Sequence, residues 1–142
     1  MKKLLVVSLM VLVLTFATSG CYVALQAYPN ITGYWTFTTT IPGLATQLIH
    51  IWSDNFGGLG GMTHGAPFNG FAITGTISGA KFGIPAKMEI SFTHTATGNV
   101  YQFSAELDDM VLRYQKKMTG TVTRTLGAAS TGGTFEAEWE HL

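Results

Sequence analysis

The sequence predicts an all-β protein, an eight-stranded antiparallel up-and-down barrel that comes after an N-terminal apolar segment. Three observations lead there. Apolar and polar residues alternate with a period of two over several short runs, as they do in a strand with one buried face. Gly-, Pro- and Asp-containing turns separate the runs, and long helical periodicity is absent. Consecutive strands joined by short links close naturally into a barrel, which leaves no exposed edge on a Thr- and Ile-rich sheet.

Residues 21–29 read as a tether and residues 30–142 as the barrel domain. The first strand spans Ile31–Thr40, with Ile31, Gly33, Trp35 and Phe37 on one face and Thr32, Tyr34, Thr36 and Thr38 on the other. Pro42-Gly43 reads as a type II turn, because Pro presets φ and Gly accepts a positive one. A second strand covers Ala45–Ser53; it is apolar on both faces, so its phase stays open. Asp54–Asn69, with Gly57-Gly58-Leu59-Gly60-Gly61, reads as a long irregular loop, and loops of that length in small domains are functional or disordered. Strands are expected over Gly70–Ser78, with Phe71, Ile73, Gly75 and Ile77 on one face, and over Pro85–Thr95, with Ala86, Met88, Ile90, Phe92 and His94 together. Further strands are expected over Val100–Leu107, Met110–Lys116 and Lys117–Thr125. A small-residue loop at Leu126–Gly132 precedes the last strand, Gly133–His141.

One pattern recurs: Ile31-Thr32-Gly33-Tyr34-Trp35, Ile73-Thr74-Gly75-Thr76-Ile77 and Met118-Thr119-Gly120-Thr121-Val122. Each glycine shares a face with the apolar residues that flank it. Glycine inside a strand marks a tight bend or a close backbone approach, and a small barrel must coil its strands sharply. None of the three opens a helix, as a dinucleotide-binding glycine motif requires.

The N-terminal segment carries an address. Lys2 and Lys3 precede an almost unbroken apolar run, Leu4 to Phe16, then the small residues Ala17-Thr18-Ser19-Gly20 and the single cysteine, Cys21. The run is short for a membrane span, which needs about 20 apolar residues. A charged start, an apolar stretch and a small-residue site make an export signal. Ser19-Gly20-Cys21 resembles the processing site of bacterial lipoproteins, with Thr18 where that consensus has Leu. The resemblance implies cleavage after residue 20, a diacylglyceryl group and usually an N-acyl chain on Cys21, and stable anchoring in the cell envelope by two or more chains. Because residue 22 is Tyr rather than Asp, it also implies the outer membrane, periplasmic side, in a Gram-negative host. Ordinary cleavage with secretion, and an uncleaved anchor, are the alternatives.

Composition narrows the functions. Loss of Lys2 and Lys3 takes the eight basic residues to six, against eight acidic ones, and the basic patch of a nucleic-acid binder is missing. Only 11% of the chain is charged, which suits a domain held at a surface. Cys21 leaves no second cysteine for a disulfide.

At Asn30-Ile31-Thr32-Gly33-Tyr34-Trp35 the chain resembles the first strand of the lipocalin and avidin-like (calycin) barrels, which carry Gly-X-Trp there, and Ala72-Ile73-Thr74-Gly75-Thr76 resembles the Thr-Gly-Thr strands of the avidin group. The resemblance implies a barrel whose mouth holds a small, often apolar ligand, with Trp35 closing its base. It also implies an Arg over that Trp. Arg124 is the nearest candidate, one strand early, and the biotin-binding set of avidins is not recognisable.

Trp52, Phe71 and Phe92 are the aromatic candidates for an apolar ligand, although aromatics in a barrel this narrow also serve as its filling. His50, His94 and His141 lie late in strands that would run in one sense, so three imidazoles would approach one rim; such a trio can hold zinc or copper, although the spacing is no metal motif. Asp108-Asp109 is a turn and Glu136, Glu138 and Glu140 form a solvated face, so no inward carboxylate pair or nucleophile constellation is visible. The expectation is a non-catalytic, lipid-anchored envelope protein without a cofactor. It would take an apolar small molecule at the barrel mouth under a lid formed by residues 54–69. Alternatively, it would be an interaction or inhibitor module contacting an envelope protein through that loop.

Overall fold

A computed structural model describes residues 28–54, 56–79, 85–108 and 116–140. Cys21, His141 and all but the last residue of the strand expected at Met110–Lys116 lie outside the described residues. The described chain forms eight strands: β1 (Gly33–Thr39), β2 (Thr46–Ser53), β3 (Gly58–His64), β4 (Ala72–Ser78), β5 (Ala86–His94), β6 (Asn99–Leu107), β7 (Lys117–Leu126) and β8 (Ala129–Glu140). Each pairs antiparallel with the next, and β1 also pairs with β8, so the sheet is a closed barrel. The first residue of β1 and the β2–β3 turn mark the lower end of the barrel; the β1–β2, β3–β4, β5–β6 and β7–β8 turns mark the upper end.

Alternation decides what faces in. Trp35 and Phe37 of β1, Ile49 and Ile51 of β2, Met88, Ile90 and Phe92 of β5, and Tyr101, Phe103, Ala105 and Leu107 of β6 are all buried. β2, with its open phase, turns Gln47, Ile49 and Ile51 inward and Leu48, His50 and Trp52 outward. Trp35 lies low in the barrel, and its indole Nε1 donates to the Ile31 carbonyl at 2.8 Å. Arg124 does not approach it: Nη1 of Arg124 donates to the Pro42 carbonyl at the upper end, 3.0 Å away. The cation that sits over a low tryptophan is Lys116, whose Nζ lies 3.6 Å from the Trp139 ring centre.

The recurring glycines occupy points of close approach. A methyl group on Gly75 would strike the Glu89 carbonyl of β5, and one on Gly120 the Ser104 carbonyl of β6. Gly33, at φ 149°, lies under the Trp139 indole.

Two expected loops are corrected. Gly58–His64, inside the stretch read as an irregular loop and lid, is strand β3, paired with β2 from Leu48↔His64 to Ser53↔Leu59 and with β4 from Gly58↔Thr76 to Met62↔Ala72. Its glycines lower strand propensity, yet their neighbours demand them: a methyl on Gly61 would meet the His50 carbonyl, and Gly60 lies beneath the Trp52 indole. Leu59 and Thr63 fill the interior on either side. The turn into β3 is tight, because Asp54 Oδ1 accepts the Phe56 and Gly58 amides at 2.8 and 2.7 Å. Leu126–Gly132 is likewise no loop: β7 and β8 meet in a two-residue hairpin, Leu126↔Ala129, with Gly127 at φ 58°.

Candidate functional site

The lumen is filled by its own rings. Phe37 of β1 meets Phe103 of β6 edge-on at 5.1 Å and Phe135 of β8 at 5.1 Å; Phe103 in turn lies 6.3 Å from Phe92 of β5. Aromatic contact thus crosses the barrel from β1 to β5, the strand half-way round. Near the upper end Phe68 tucks in against Tyr101 and His94, at 5.2 and 4.7 Å. It is held by buried Gln47, which accepts the Phe68 amide at 3.0 Å and donates to the Phe68 and His64 carbonyls at 2.8 and 2.7 Å. Residues 65–71 therefore form a plug whose turn carries a cis Ala66–Pro67 bond.

The three aromatic candidates separate. Phe92 is buried and Phe71 half-buried; together they border an open cleft of about 430 Å³ between β4 and β5 near the upper rim. The cleft exists because the β4–β5 ladder begins only at Thr74↔Ser91. Trp52 is not part of it: it lies on the outer wall, covering Gly60.

The histidines separate too. With β3 inserted between them, β2 and β5 run in opposite directions and do not bring His50 and His94 to one rim. His50 faces outward, whereas His94 sits at the upper rim, its Nδ1 2.8 Å from the Thr97 hydroxyl. His141 is outside the described residues. Among the described residues no group of three His, Cys, Asp or Glu side chains is placed to hold a metal ion.

What the outer wall does assemble is a cluster across β1, β2 and β3. Tyr34 stacks on His50 at 4.3 Å and 9°, in keeping with the Tyr34↔His50 register. His64 lies 5.6 Å from Tyr34 and 6.3 Å from His50, and its Nε2 is buried with no hydrogen-bond partner. Trp52 meets His50 edge-on at 5.5 Å. Trp52 is 48% exposed, Met62 39% and Phe56, at the tip of the β2–β3 turn, 79%. The alternating Leu48, His50 and Trp52 are visible in the sequence as one face of β2. The partners Met62 and His64 are hidden there by the reading of their segment as loop.

Charge is divided between the two halves of the barrel. From Tyr28 to Gly79 the described chain holds one charged side chain, Asp54, and β1 to β4 hold none. β5 to β8 carry every charged residue of the strands, including the Lys87–Glu89 pair at 2.7 Å and Lys117 between Glu138 at 2.5 Å and Glu136 at 3.7 Å. The hydrogen bond and attraction to Glu138, helped by Glu136, hold the Lys117 ammonium above its ordinary range.

Fold and surface together define the class as a closed, aromatic-filled, eight-stranded antiparallel β-barrel with one uncharged outer wall. Comparison with family models, with characterised proteins and with solved structures returns no match.

Proposed function

We propose that the chain is a non-catalytic, lipid-anchored envelope protein with a calycin-like barrel that works as an interaction module through its outer wall rather than by carrying a ligand in its lumen. The observation that supports this most directly is the ring contact across the interior, from Phe37 through Phe103 to Phe92. A lumen occupied by its own side chains leaves a barrel of this size no room for cargo. The exposed Trp52, Met62 and Phe56, on the half of the barrel without strand charges, supply the apolar contact area that interaction surfaces use. Export and anchoring rest on residues 1–21, with Cys21 as the lipidated residue and the outer membrane as destination in a Gram-negative host. The calycin relation rests on Gly33-Tyr34-Trp35 opening a meander barrel with Trp35 low in it.

A second reading places an apolar small molecule at the rim cleft against Phe71 and Phe92, because that cleft is open. Native mass spectrometry of the protein purified from its own host separates the two. The interaction reading expects no co-purifying small molecule; a bound one that Phe71→Ala releases would transfer the function to the cleft. Labelled palmitate should enter the wild type and not Cys21→Ala; an unlabelled wild type would leave a secreted barrel.

A further inference from the structure

We propose that the uncharged wall, with Trp52 and Phe56 towards its lower end and Met62 further up β3, rests on the bilayer interface beside the tether, so that the occupant of this surface is lipid. The inference rests on the reading of residues 1–21 as a membrane anchor. Four observations favour lipid over a second copy or another protein.

The first is where the tether arrives. The ring of Tyr28 packs against the core and lies over Gly57, in the same β2–β3 turn that exposes Phe56. Tyr28 is seven residues along from Cys21. Fully extended, that length of chain reaches at most about 25 Å, so an anchored Cys21 keeps this end of the barrel near the bilayer. The second is the residue types. Trp and Tyr favour the headgroup level of a membrane, where an apolar body and a polar edge are both satisfied. The third is the posture of Trp52. One side of its indole covers Gly60, the rest is open, and beside it Ser53, Thr32 and Asn30 form a hydroxyl and amide network with contacts of 3.1 Å. Such a border matches the hydrogen-bonding groups of a lipid headgroup layer. The fourth is charge. The only charged side chain among the described residues of this region, Asp54, turns its carboxylate oxygen to the Phe56 and Gly58 amides, so it braces the turn instead of confronting an anionic surface. The charged half of the barrel, β5 to β8, then faces water.

The test uses the full mature protein in phosphatidylethanolamine–phosphatidylglycerol vesicles, with or without lipids brominated near the top of their acyl chains. Of the three tryptophans, Trp35 is buried, Trp139 half-buried and Trp52 most exposed. Bromolipid should quench a component of the emission that disappears in Trp52→Phe. The double variant Phe56→Ser with Met62→Ser, which keeps Trp52 as reporter, should lose most of that quenching while its near-ultraviolet circular dichroism stays that of the wild type. Membrane-bound protein whose Trp52 is not quenched would overturn the proposal and leave the anchor reading intact. Quenched Trp52 in protein without lipid on Cys21 would support the face and refute the anchor. No quenching, together with a dimer that Trp52→Ala dissolves, would hand the surface to a second copy.

Discussion

At the scale of single residues, the inward glycines and Gln47 do the least replaceable work. Gly75 and Gly120 sit where a methyl would collide with a neighbouring carbonyl, whereas Gly132, in β8, has open space around its α-carbon. Alanine at either of the first two should therefore lower stability by about 1–3 kcal/mol, as overpacking does. Gly132→Ala should stay within about 0.5 kcal/mol of the wild type, as surface substitutions do. Urea midpoints of the three variants check this; equal effects at all three would remove the close-approach argument. Gln47→Leu strips the Phe68 amide and carbonyl of buried partners, and should cost about 1–3 kcal/mol and raise the hydrogen-exchange rate of the Phe68 amide. The glycine roles were legible from the sequence, because Gly33, Gly75 and Gly120 share a parity with apolar neighbours. The part played by Gln47 was not, because its partners, Phe68 and the His64 carbonyl, lie 21 and 17 residues away.

At the scale of elements, β3 separates propensity from context. Three of its seven residues are glycine, so composition alone reads as loop. What orders it is the pair of strands on either side, with the Trp52 indole laid over Gly60 as a side chain from the neighbouring strand. Aromatic cover of this kind compensates strand glycines. Amides of β3 that pair with β2 or β4 should accordingly exchange as slowly as those of β4, and Trp52→Ala should speed exchange in β3 more than in β6. Strand β3 also explains why His50 and His94 do not share a rim: with β3 inserted after β2, β5 runs against β2. The clearest alternation, over β5, needed no such help because Met88, Ile90 and Phe92 alternate with Lys87, Glu89 and Ser91. On the β7–β8 hairpin, the raised ammonium of Lys117 has a defined sign. A group whose folded value is raised contributes stability that is complete below the unfolded value, near 10.5, and is lost as pH climbs through the folded one. The melting temperatures of wild type and Lys117→Met should differ slightly at neutral pH and converge in strong alkali, since the ion pairs are exposed.

For the molecule as a whole, the filled lumen is the property that most constrains its use. Phe103 touches Phe37, Phe92 and Phe135, so Phe103→Ala should open a void at the centre, costing about 3–5 kcal/mol. If the native interior is closed, an environment-sensitive apolar dye should bind the folded variant and ignore the folded wild type. A wild type that takes the dye with Phe103 in place would return the lumen to the list of ligand sites. The barrel itself was legible because alternation and turn chemistry recur along the whole chain. The division of charge between its halves is equally present in the sequence, as the long gap between Asp54 and the charges of β5 to β8, but it acquires meaning only when the strands are arranged in a ring.

Closure of that ring has a kinetic consequence. β1 has β8 as one of its two neighbours, and Tyr34 is paired with Glu140. The first strand made must wait, with one edge bare, for the last strand to emerge. Contacts so distant along the chain slow folding. The barrel therefore cannot lock until β8 has reached β1. The same seam that seals the finished domain keeps the unfinished one pliable.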